Sequence, residues 1–225
     1  MKTGVWIAAG LALACAFGAR AAAEPAPLPI EDFVRHPTYS EVRISPAGEY
    51  LAMTVDRGGQ DVLTVLRTAD LSIVKVNQLP DEKSIGSFYW VSRDRLVFNA
   101  VKKFGRFAAP FNTGEWYGVN ADGSQPRPLV FFGTLDATQR NKTTDGIYSM
   151  LDTLRGDDQQ VLMAVAKPRS SKGAGTEVVA LDVLSGRRRE IVRAPRENCS
   201  IETDASDQPR FAVCYDAQND AGQFE

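Results

Sequence analysis

Histidine is nearly absent from this sequence: of 225 residues only His36 is one. A Ser-His-Asp triad needs a histidine as general base. His36 stands before Pro37 in an extended stretch without partner groups, so it reads as a surface or packing residue. The Gly-x-Ser-x-Gly elbow that presents a nucleophilic serine is missing as well. Cysteine is scarce, at three, and the two outside the N-terminal segment, with one histidine, cannot build a structural zinc site. Carboxylate pairs such as Asp157-Asp158 fall in turn sequences and lack the spacing of a calcium loop. No glycine-rich phosphate loop follows a strand, and Lys172-Gly173-Ala174-Gly175 reads as a hairpin connection. These absences predict no metal, no cofactor and no catalytic residue in the chain.

Charge of one sign is lacking too. The net charge of -2 gives no electrostatic reason to expect nucleic acid as a partner. Arg187-Arg188-Arg189, the only basic run, follows a Ser185-Gly186 turn and reads as solvated charge rather than a carboxylate dock. Long apolar runs are missing except for Val5 to Phe17. With Lys2 ahead of it and Ala21-Ala22-Ala23 behind, this run reads as a signal peptide over residues 1–23. It is shorter than the roughly 20 residues that a membrane span needs. Cys15 raises lipid anchoring as an alternative, but Ala12 stands where an aliphatic residue is usually wanted. The expectation is a cleaved chain, periplasmic or secreted, with no membrane span.

What is present is ordinary for a folded protein: 44% hydrophobic and 24% charged residues argue against disorder. Export implies an oxidising space for Cys199 and Cys214. Between them Asp204-Ala205-Ser206-Asp207-Gln208-Pro209 is a strong turn sequence. Folding the chain about that turn sets the two cysteines opposite each other, within disulfide reach. Two half-buried free thiols are the alternative, because spacing alone does not fix connectivity.

Helical periodicity is absent, and two strand patterns alternate after residue 40. The first is a turn leading into an alternating strand: Ile44-Ser45-Pro46-Ala47-Gly48-Glu49-Tyr50-Leu51-Ala52-Met53. Degenerate copies run from Trp90 to Phe98, from Leu154 to Met163 and from Thr203 to Val213. The second is strand, tight turn, strand. It occurs as Val62–Arg67 with Ile73–Val76, as Glu115–Val119 with Pro128–Phe131, and as Glu177–Asp182 with Glu190–Val192. Asp122-Gly123 and Ser185-Gly186 supply positive φ at two of these tips.

Each unit therefore carries about four strands in roughly 45–65 residues, the scale of a propeller blade. A sandwich would not predict the same two-part unit recurring. The expected fold is all-β, a partial β-propeller of about three and a half four-stranded blades. After a lead-in over residues 24–40, blades are expected at about 41–79, 85–132 and 146–194. A partial blade over 199–225 is expected to end shortly after its second strand. A raw propeller edge invites aggregation, so a fragment or truncated product is expected.

Pro27-Leu28-Pro29-Ile30-Glu31-Asp32-Phe33, with Glu41-Val42-Arg43-Ile44-Ser45-Pro46-Ala47-Gly48-Glu49-Tyr50-Leu51-Ala52, resembles the start of exported bacterial prolyl oligopeptidase-family serine peptidases, acylaminoacyl/dipeptidyl peptidase-like. The resemblance covers residues 27–225. It implies a propeller that restricts access to a C-terminal α/β-hydrolase domain, so that peptides enter and folded proteins do not. That domain and its catalytic residues are missing, so the chain itself is expected to be inactive, with peptide substrates met through the missing domain. Other exported propellers, including the periplasmic Tol–Pal propeller protein, use a similar Ser-Pro-x-Gly turn. A non-enzymatic propeller that binds a protein or cell-envelope partner is therefore the alternative.

Two further segments merit naming. Ser72-Ile73-Val74-Lys75 fits a Ser-x-x-Lys pattern, but a strand sends residues three apart to opposite faces. Phe104-Gly105-Arg106-Phe107-Ala108-Ala109-Pro110-Phe111, aromatic and basic, reads as a packed irregular loop, with a binding loop as the alternative.

Overall fold

The structure, a computed structural model, describes residues 38–104, 109–131, 146–167 and 175–215, with the backbone of 222–224. The signal-peptide reading, Cys15 and His36 lie outside the described residues.

Every regular element among the described residues is a strand. The first sheet holds β1 (Tyr39–Ile44), β2 (Tyr50–Arg57), β3 (Gln60–Arg67) and β4 (Ile73–Asn77). The second holds β5 (Ser84–Trp90), β6 (Arg95–Lys102), β7 (Phe111–Asn120) and β8 (Arg127–Val130). The third holds β9 (Ile147–Asp152), β10 (Gln160–Lys167), β11 (Gly175–Asp182) and β12 (Arg188–Arg193). The fourth holds β13 (Cys199–Thr203), β14 (Pro209–Tyr215) and β15 (Gly222–Phe224). Each sheet is an antiparallel meander with its strands side by side in chain order. These are the blades of a partial β-propeller. The fourth carries one strand more than the sequence predicts. β15 is only three residues long, too short for an alternation of apolar and polar residues to announce it.

The two sequence patterns are the two turns at one end of each blade. The Ser-Pro type joins the first two strands; the second joins the last two. A backbone bond ties them together within a blade: the N–H of Thr68 donates to the carbonyl of Glu49 at 3.1 Å. Its counterparts are Ala121 to Asp94 at 2.7 Å and Val183 to Gln159 at 2.9 Å. The repeat thus extends to the level of single hydrogen bonds, as neighbouring units built alike require.

Alternation along the middle strands sends side chains to both faces, and the faces bury one another. Leu96, Phe98 and Ala100 of β6 join Leu63 and Val65 of β3 in a core between the first two blades. Val97, on the opposite face of β6, joins Val161, Met163 and Val165 of β10 in the next core. Leu162, one residue from Val161, instead meets Ile201 of the fourth blade. Leu63, Phe88, Leu96 and Met163 are among the largest fully buried side chains. Each contributes roughly 1.5–3 kcal/mol over its exposed state. Because these contacts cross between sheets, the stack rather than the single sheet is the stable unit.

Candidate functional site

The first strands of neighbouring blades approach one another, β1 with β5 and β9 with β13, and so form the inner side of the stack. Where the ends of β1 and β5 meet the loop after β9, a cavity of about 440 Å³ opens. Arg43, Ile44, Pro46, Tyr89, Trp90 and Thr153 line it. Among the described residues of that lining, Arg43 alone is charged. Its guanidinium lies over the ring of Tyr89, 4.6 Å from the centroid, and 5.9 Å from that of Phe88. Its Nε donates to Oε1 of Glu41 at 2.6 Å, and Nη2 pairs with the same oxygen. The indole N–H of Trp90 donates to the Arg43 carbonyl at 3.2 Å, and its ring stacks on Tyr50. Stacking and ion pairing together fix the guanidinium.

A second, smaller cavity of about 260 Å³ lies between the third and fourth blades, with Leu162, Ala180 and Ile191 as apolar wall and Asp157, Arg189 and Asp207 among its polar residues. Arg155 crosses it. Its backbone N–H donates to Asp207 Oδ2 at 2.7 Å and its Nη2 to Oδ1 at 3.1 Å. The Arg155 guanidinium holds the Asp207 carboxyl below the usual aspartate range. This pair joins two blades and has a structural role.

Between the second and third blades the joint is Arg95, 2% exposed. Nη2 donates to the Val183 carbonyl at 2.7 Å; Nη1 donates to Asn120 Oδ1 and the Gln125 carbonyl, both at 2.9 Å. Burial, with the positive charge of Arg127, pulls its pKa below the ordinary arginine value. Glu115 is equally enclosed, pairing with Lys83 at 3.0 Å and accepting from the Tyr117 hydroxyl at 3.2 Å. Burial and that carboxylate push the Tyr117 pKa well up.

Cys199 sits opposite Cys214 in the β13–β14 register, and the two sulfurs are bonded at 1.99 Å. Ser72 and Lys75 form no dyad. The Ser72 hydroxyl donates to Asp70 at 2.7 Å, while the Lys75 stem runs beneath Gly123 of the next blade. Asp157 caps its turn by accepting the N–H groups of Gln159 and Gln160. Arg188 packs on Tyr148, donating to its hydroxyl at 2.6 Å. Phe104 and Phe111 are exposed, and residues 105–108 lie outside the described residues. None of the residues weighed in the sequence for catalysis, metal or ligand binding lines the first cavity; Arg43, Ile44, Pro46 and Trp90 reach it as members of the repeat motifs. Arg43, Tyr89, Trp90 and Thr153 share one signal: each lies just ahead of the first turn of its repeat.

Among the described residues no group of three or more His, Cys, Asp or Glu side chains could hold a metal ion. Among the same residues, no helix is long and apolar enough to cross a membrane.

No protein family's sequence pattern matches the chain, and no curated protein matches it. Solved structures do. Acylaminoacyl peptidase in complex with Z-Gly-Gly-Phe-chloromethyl ketone is 12% identical, with a TM-score of 0.50 over 84% of this chain and 30% of that one. Oligogalacturonate lyase in complex with manganese is 9% identical, with a TM-score of 0.50 over 84% of this chain and 54% of the lyase. The β-propeller domain of the Trilobed protease from Pyrococcus furiosus is 11% identical, with a TM-score of 0.44 over 78% and 48%. This chain spans only 30%, 54% and 48% of the length of these three, in the order named. Likeness at such identity shows the fold. The chain is a partial β-propeller, a fold it shares with acylaminoacyl peptidase, in accord with the prolyl oligopeptidase-family resemblance of its Ser-Pro-Ala-Gly motif.

Proposed function

We propose that this chain is the N-terminal propeller part of an exported serine peptidase of the prolyl oligopeptidase type, and that it gates and selects peptide substrates. The observation that carries the reading is the cavity at the inner ends of the first strands, lined by Arg43, Tyr89 and Trp90. The Cys199–Cys214 bond supports an oxidising compartment, and therefore export. Hydrolysis in the whole enzyme is acyl transfer of a peptide bond to a serine and then to water. That chemistry belongs to a hydrolase domain following the propeller.

The test is to read the gene past codon 225 and assay the product. The reading expects a Gly-x-Ser-x-Gly motif followed by Asp and His, and peptidase activity that disappears when that serine becomes alanine. Further four-stranded repeats and then a stop would overturn it in favour of a propeller that binds an envelope or protein partner. Peptidase activity in the 225-residue chain alone would also overturn it.

A further inference from the structure

We infer that the cavity between the inner strands of the first three blades is a carboxylate-binding subsite, which takes the free C-terminal carboxylate of a peptide on the guanidinium of Arg43. That the ligand is a peptide rests on the gating function proposed above; that it carries a carboxylate rests on the geometry alone.

Arg43 is held but not used up. Glu41 takes Nε and Nη2 through one oxygen, Oε1, while its other oxygen accepts the Phe88 backbone N–H at 3.4 Å. Nη1 has no hydrogen-bond partner among the described residues, and the Arg43 side chain is 42% exposed. A guanidinium offers five N–H donors in a planar fork suited to a carboxylate. One edge of that fork is occupied and one face lies on Tyr89, so the remaining edge is left free on a residue that lines the cavity. The fork need not be ordered at the moment of binding, which removes part of the entropic cost.

Two further groups of the lining can hydrogen-bond a bound acid. Neither the hydroxyl of Tyr89 nor that of Thr153 has a partner among the described residues, and both residues line the cavity. Ile44, Pro46 and Trp90 supply apolar wall on the other sides. A few convergent polar groups in an otherwise apolar recess of this size are the ordinary make-up of a small-ligand site. About 440 Å³ holds one or two residues of a peptide, not a folded chain.

Trp90 makes the site its own reporter. The test titrates the purified chain with N-acetyl-alanyl-phenylalanine and follows tryptophan fluorescence, with the C-terminal amide of that dipeptide and sodium acetate as parallel titrants. The expected result is a saturable change with the acid, with the amide at least tenfold weaker and acetate silent at the same concentrations. Arg43→Met, which keeps the stem over Tyr89, should abolish binding. Tyr89→Phe, which keeps the ring, should weaken it severalfold, and Trp90→Phe should remove the signal but not binding by calorimetry. Circular dichroism establishes that each variant is folded, and Tyr89→Phe serves if Arg43→Met is not. Equal binding of acid and amide, or undiminished binding by folded Arg43→Met, would overturn the carboxylate site. Equal saturation by acetate would overturn its assignment to a peptide. Because the readout needs no hydrolase domain, failure here leaves the peptidase reading standing, and a gene lacking the serine motif leaves this site standing.

Discussion

The guanidinium of Arg95, on the second strand of the second blade, donates to the backbone carbonyl of Val183 in the third at 2.7 Å. Among the described residues no carboxylate bonds it: two carbonyls and the Asn120 side chain take its Nη groups, and its Nε is buried with no partner among them. Space for it comes from Gly118, where a Cβ would lie 2.7 Å from Arg95 Nη2 and 3.0 Å from the Val183 oxygen. Arg95→Met should lower unfolding free energy by about 3 kcal/mol, since buried acceptors then lose charged donors. Gly118→Ala should cost roughly 1–3 kcal/mol by overpacking. The double variant should cost about 1 kcal/mol less than the sum, because both changes act on one contact. Urea denaturation of the four proteins measures it, and strict additivity would refute the account.

The Cys199–Cys214 bond closes a loop with a sequence separation of 15. Cross-linking over that length restricts the unfolded chain by about 3 kcal/mol. The variant with both cysteines changed to alanine should lose that much, and dithiothreitol should shift the wild-type midpoint equally. The reductant should leave the double variant unmoved.

Leu71 stands where its counterpart in the third blade is a glycine. The third-to-fourth-strand turn of the third blade bonds Gly186 N–H to Asp182 O at 2.8 Å, with φ of +74° at Gly186. The first blade makes the same bond from Leu71 to Arg67 at 2.9 Å, with a leucine at φ of +57°. A side chain there costs on the order of 1–2 kcal/mol. Leu71 is 62% exposed, so its removal sacrifices little packing. Leu71→Gly should therefore stabilise the chain by roughly 0.5–1 kcal/mol, after the greater unfolded-state freedom of glycine is subtracted. A lower denaturation midpoint would disprove the strain.

Acid should loosen the joint between the third and fourth blades first. The Arg155 side chain, then its backbone N–H, lower the Asp207 pKa from 3.8, against a small opposing push from Asp204. Asp204 is lowered too, by the Gln208 N–H, Arg210 and the Ser206 N–H. A carboxyl whose folded pKa is depressed contributes stability that is complete above its unfolded value and is lost as pH falls through the folded one. The loss therefore lies below pH 3.8. Asp207→Asn, tolerated at φ of +60°, should be less stable than wild type at neutral pH. The two denaturation midpoints should converge once the pH lies well below 3.8, and a gap that persists unchanged there would contradict the ion-pair assignment.

Ser45-Pro46-Ala47-Gly48 and Asp122-Gly123 announce their turns because turn chemistry is local: a fixed φ, a positive φ, a capping oxygen. The alternation of β2, β10 and β11 is equally local, since the strand period sorts side chains by face. Together these determine the all-β class, the four-strand unit and its recurrence. Arg43, Tyr89, Trp90 and Thr153 belong to three different repeats; the repeat puts each just ahead of its unit's first turn, but does not say that they share one cavity. Likewise Arg95 reads as one more turn arginine until the third blade sets the Val183 carbonyl against it. Sequence fixes what a residue does to its own few neighbours along the chain. Which faces meet, and which side chains of separate blades share a cavity, is decided only when the sheets stack.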